Sequence, residues 1–115
     1  MIVSIAKIKV KSPLNLIPFL RHAKMSEKQA LDNPECIHVE KGKGKGLYFY
    51  TVTAWQTEGA LKEYYTTGEH GEAMKNIANL GSEISSIRLK RDTIPSFEEA
   101  CNLIDKEGKV RYLNN

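Results

Sequence analysis

The segment YTVTAWQTEGALKEYYTTGEHGEAMKNIANL, residues 50–80, decides the fold. It begins with aromatic and β-branched residues suited to a strand, and that strand ends at Trp55. Thr57 then stands as the N-cap of a helix whose inner face is Ala60, Leu61, Tyr64 and Tyr65. Thr67 and Gly68 interrupt the helix, and a second segment from about 69 to 79 turns Ala73, Met74 and Ile77 inward. A strand that feeds an interrupted amphipathic helix is one half of a small α+β domain. A pocket is expected between the sheet and the helices.

Working outward, residues 1–10 alternate as a strand, and Ser12-Pro13 starts a turn. Leu16, Leu20, Ala23 and Ala30 recur at helical spacing, which predicts a helix from about Leu16 to Leu31 that stops at Asp32-Asn33-Pro34. Glu35 to Lys41 is a second strand, with Ile37 and Val39 on one face and Cys36 and His38 on the other. Gly42 to Gly46 reads as a flexible hairpin loop, and Leu47 to Trp55 as the third strand. Glu83 to Lys90 is a fourth. Ser96 and Glu99 match a capping box for a last helix that Gly108 ends, and Lys109 to Leu113 can add a short edge strand.

The order β-α-β-β-α-β plus a C-terminal helix is the ferredoxin-like split arrangement, in one domain over residues 1–115. Alternation predicts that the helices cover Val3, Ile5, Ile37, Val39, Tyr50, Val52, Ile87 and Leu89. The other face, with Ile2, Ala6, Ile8, Phe49 and Ile84 among small polar residues, is too apolar for water. A second copy of the sheet is its simplest cover, so a homodimer is expected.

Composition narrows the function classes. A formal charge of +3 with scattered basic residues gives no dedicated nucleic-acid surface. No apolar run reaches the ~20 residues of a membrane span, and the alternating N-terminus is not a signal peptide, so a cytoplasmic location is expected. Cys36 and Cys101, far apart, are expected to stay unpaired.

The element order and the motif T-x-W-x-x-x-x-A-L-x-x-Y-x-x-x-G-x-H-x-x-A-M from Thr53 to Met74 resemble the dimeric α+β barrel superfamily, which includes antibiotic-biosynthesis-type monooxygenases. Within it the nearest likeness is to bacterial proteins similar to spheroidene monooxygenase. Pro95 to Ala100 and Glu107 to Lys109 also look familial. The resemblance implies an oxidase or monooxygenase acting on an apolar or aromatic small molecule, by cofactor-free oxygen chemistry or with haem. The haem-degrading branch uses an Asn, a Trp and a haem-ligating His. In this chain Tyr64 stands where that branch has its Trp, Met74 where it has its His, and the first strand holds no Asn. That activity is therefore not carried over, and the cofactor stays open between haem and none.

Several residues are candidates for a site. His70 lies on the inward stripe with Ala73, Met74 and Ile77, as an acid/base group or haem ligand, or as a half-buried histidine bonded to backbone. Trp55 walls a pocket or fills the core. Tyr64 and Tyr65 point about 100° apart, so one of them faces fully inward. Met74 completes the substrate-binding set. Cys36 and His38 give only two ligands, and a zinc site needs three or four, so no metal is expected. The alternative to an enzyme is a non-catalytic dimer of the same fold that binds a small molecule.

Overall fold

The computed structural model describes residues 1–113, with backbone only at position 69. Its elements run β1 (Ile2–Val10), α1 (Leu16–Leu31), β2 (Cys36–Lys43), β3 (Tyr48–Trp55), α2 (Glu58–Thr66), α3 (Gly68–Lys75), α4 (Ile77–Leu80), β4 (Gly81–Lys90), α5 (Phe97–Glu107) and β5 (Arg111–Tyr112). They form one antiparallel sheet in the order β2-β3-β1-β4-β5. This is the ferredoxin-like α+β fold expected from the element order.

Local chemistry sets the element ends. The Thr57 hydroxyl accepts the Ala60 N–H at 3.1 Å and starts α2. Ser96 does the same for the Glu99 N–H at 3.1 Å and starts α5. The capping box is half formed, because the Glu99 carboxylate turns outward to Arg91 at 3.3 Å instead of reaching back. The break between α2 and α3 falls at Gly68, whose φ of +62° is open to glycine and strained for other residues. Asn76 divides the second helical segment again, so α3 and α4 stand where one helix was expected.

The faces of the sheet are the reverse of the expectation. Helices α1 to α4 roof the side carrying Ile2, Ser4, Ala6, Ile8, Trp55 and Val39, and bury a cluster of Ile2, Ala30, Trp55, Ala60, Leu61 and Tyr64. The C-terminal helix α5 alone covers Val3, Ile5, Tyr50, Val52 and Ala54, with Ala100 and Ile104 pressed on them. So the face expected to await a second copy is the one under the main helical layer. Both faces of β1 are apolar, and alternation alone does not say which one the helices choose.

Strand β2 adds a second departure. Its pairing with β3 shifts between Cys36 and His38, so Ile37 is the extra residue of a bulge. The bulge puts Cys36 and Val39 on the same side, where both pack against the α1–α4 cluster, and leaves Ile37 exposed. Residue Gly42 lies within β2, not at the hairpin tip. A Cβ there would come within 2.5 Å of the Phe97 ring, so the bare glycine makes room for the first residue of α5.

Candidate functional site

The side of the sheet under α1–α4 has a floor of small residues at its centre: Ser4 and Ala6 on β1, Thr51 and Thr53 on β3, and Ser86 on β4. Helices packed above such a floor leave space. A cavity of about 150 Å³ lies there, reaching from Val39 on β2 across to Ile84 and Ser86 on β4. Its roof includes Phe19 of α1, Tyr64 and Tyr65 of α2, and His70 and Met74 of α3. The lining is mostly apolar, as in small-molecule sites generally.

The two tyrosines have different tasks. Tyr64 is buried and its hydroxyl donates to the Ser26 carbonyl at 3.1 Å, tying α2 to α1. Desolvation in this setting pushes its phenol well above the ordinary range. The Tyr65 hydroxyl shares a 2.7 Å hydrogen bond with Ser4 on the floor. Both rings border the cavity, although only one was expected to face inward. The ~100° between successive residues is divided so that each ring approaches the space from its own side.

His70 lies against both. Its ring stacks on Tyr64 with centroids 4.2 Å apart and planes 11° from parallel, and sits 5.1 Å from the Tyr65 ring. Gln29 of α1 fixes the turn that carries it: the Gln29 side chain accepts the His70 backbone N–H at 2.7 Å and donates to the Thr67 carbonyl at 3.0 Å. A Cβ on Gly68 would stand 3.0 Å from that side chain. Burial lowers the His70 pKa to about 4, so the imidazole is neutral at pH 7. Both ring nitrogens are buried, and among the described residues neither has a hydrogen-bond partner. The site thus joins an apolar hollow to one neutral donor and acceptor.

The sequence-derived candidates divide on placement. His70, Tyr64, Tyr65 and Met74 come together around the cavity. Trp55 does not border it. Trp55 is fully buried behind Tyr64, ring centroids 4.9 Å apart, with its indole N–H unpartnered among the described residues. Sequence reasoning passed over Ser4, Gln29 and the serine and threonine floor. The signal for the floor was small residues at alternate positions in the strands.

Cys36 and Cys101 are free. Among the described residues no group of three His, Cys, Asp or Glu side chains could hold a metal ion. Haem does not fit this hollow. A volume of about 150 Å³ falls below the ~300 Å³ at which pockets for drug-sized ligands begin. Among the described residues no helix is long and apolar enough to cross a membrane.

No family model matches the sequence, and no curated protein matches it. Solved structures do match in shape. An antibiotic biosynthesis monooxygenase superposes with a TM-score of 0.70 at 15% identity, over 83% of this chain and 100% of that one. The protein Rv0793 of Mycobacterium tuberculosis gives 0.73 at 11% identity, over 83% and 98%. A conserved protein of unknown function from Bacteroides thetaiotaomicron gives 0.68 at 16%, over 78% and 96%. Identities this low speak to fold. The likeness to spheroidene monooxygenase rests on the sequence motif alone. In its α+β fold the chain is similar to a solved antibiotic biosynthesis monooxygenase.

Proposed function

We propose that this chain binds a single-ring aromatic molecule, or an apolar one of similar size, in the cavity under α1–α4 and oxidises it without a bound cofactor. One observation carries the reading: a largely apolar hollow of about 150 Å³ lined by His70, whose buried ring nitrogens lack a partner among the described residues. An apolar cavity of roughly 150 Å³ is large enough for benzene. A hydroxyl on the guest would supply the hydrogen bond that His70 lacks, and an unmet buried polar group is costly enough to favour such a guest. Tyr64 and Tyr65 would flank its ring, and Met74 would adapt to its edge.

In the catalytic form of this reading, neutral His70 takes the proton of an acidic phenol or enol, and the electron-rich anion then meets oxygen. The fold supports that chemistry by likeness only. The low basicity of His70 favours the second reading, a binder without turnover, because an effective general base ionises near the working pH. Phenol, catechol and hydroquinone separate the two. Thermal stabilisation by these compounds with oxygen uptake supports the enzyme, and stabilisation without uptake supports the binder. If none of them raises the melting temperature, the cavity is not a binding site. His70→Ala with unchanged binding and uptake would remove His70 from the site.

The reading also includes a homodimer. The strip of the α5 side that α5 leaves open holds Lys9 and Tyr48 and, opposite Glu83 on the edge strand, Tyr112 at 70% exposure. That strip is the surface a second copy would use, and light scattering that returns the monomer mass would exclude it.

A further inference from the structure

The cavity has a neighbour with a different character. Along β4 a cleft of about 420 Å³ opens beside it, and the two share four lining residues: Tyr65, Met74, Ile84 and Ser86. Ser86 is exposed, so the shared edge is where the hollow meets solvent. Around that edge the cleft carries Arg88 from β4, and Lys109 and Arg111 from the segment after α5. No carboxylate lines it among the described residues. Some cations elsewhere on the sheet and helices find acids: Lys7 pairs with Asp105, Lys9 with Glu83, Lys41 with Glu27 and Arg91 with Glu99. Among the described residues Arg88, Lys109 and Arg111 enter no ion pair, and the Arg88 guanidinium rests 5.4 Å from the Tyr65 ring centre.

We infer that this cleft is an anion subsite, and that the ligand is an aromatic acid: its ring in the cavity, a short tether passing Tyr65 and Ser86, and a carboxylate or phosphate held by Arg88, Lys109 and Arg111. Three cations gathered without a counter-charge repel one another, and an anion relieves that repulsion. Guanidinium groups suit both head groups because their paired N–H donors match two oxygens at once. The Ser86 hydroxyl can donate to the same group. Tyr65 stands between the two compartments, its hydroxyl held to Ser4 inside and its ring against Arg88 outside. A cationic guest is repelled by the same three charges, and a neutral one gains nothing from them.

The inference rests on the cavity reading, and a matched set of ligands keeps the two apart. Calorimetric titration at low salt compares phenylpropanoate, its neutral counterpart phenylpropanol, and phenethyl phosphate. The anions are expected to bind roughly tenfold tighter than the alcohol, a modest factor because solvated cations contribute little each. The order of the two anions tells carboxylate from phosphate. In the double variant Arg88→Gln and Arg111→Gln the preference falls toward one, while the affinity for phenylpropanol stays unchanged. Both residues are exposed, so circular dichroism should show the fold intact. Equal binding of alcohol and anions, or a preference that survives the double variant, overturns the subsite and leaves the cavity standing. If no compound of the set binds, the cavity reading falls and the subsite falls with it.

Discussion

The two sides of the sheet are built from different materials. On the α5 side, Val3, Ile5, Val52 and Ala54 are completely covered, with Ala100 and Ile104 seated on them. On the α1–α4 side the centre of the sheet is serine, alanine and threonine, and about 150 Å³ stays unfilled. One helix closes the centre of the first side, yet four helices do not close the centre of the second. Side-chain volume on the strands, more than the amount of helix above them, decides which side is packed and which is hollow. The packed side supplies stability, and the hollow side has space for a guest.

Cutting into the packed side should have the largest effect. Ile5→Ala is expected to lose about 2–5 kcal/mol in urea unfolding, because a rigid neighbourhood cannot collapse into the gap. If the loss is well under 1 kcal/mol, α5 is not the tight cover its burial implies.

The next effect comes from the hollow side and depends on pH. His70 ionises near 4 in the folded chain, against an ordinary value of 6.5. The fold therefore favours the neutral ring. The stability this gives is fully present above pH ~6.5 and is lost as pH falls through about 4, roughly 3 kcal/mol in all. The wild-type and His70→Phe unfolding curves should diverge across that window. Parallel curves would mean that His70 is far more solvated than its surroundings indicate.

Adding volume sharpens the contrast. Ala54→Leu on the packed side should cost about 1–3 kcal/mol by overpacking, whereas Ala6→Val on the floor should cost less or stabilise, and should block phenol. Equal costs would erase the distinction between the sides. The smallest effect is expected for Tyr65→Phe, which gives up one partly buried hydrogen bond with Ser4, about 0.5–1.5 kcal/mol by thermal melting.

Much of the architecture could be read from the residues. The strand ending at Trp55, the Thr57 cap, the break at Gly68 and the inward stripe of His70 and Met74 are local features, set by propensity and 3.6-residue spacing. The choice of face was not legible. Val3 and Ile5 are as apolar as Ile2 and Ile8, and period-two alternation assigns partners to a face without naming what covers it. The bulge at Ile37 was hidden for the same reason: one inserted residue inverts the alternation, and nothing in C-I-H-V announces it. Trp55 was drawn toward the pocket by its size. That size fills the space behind Tyr64. The cleft at Arg88 lay beyond sequence reasoning because its other cations follow α5 and meet β4 only through the late pairing of β5.

Gln29 holds the turn of His70 by two hydrogen bonds from a single side chain, and it reaches there from a different helix. Such a clasp can let go by one rotamer change, with no strand unzipped. The His70 amide should then exchange its proton with solvent far sooner than amides in β1, through a motion confined to the start of α3. A guest that enters by that motion would arrive at a rate governed by how often the glutamine releases, whatever its fit once inside.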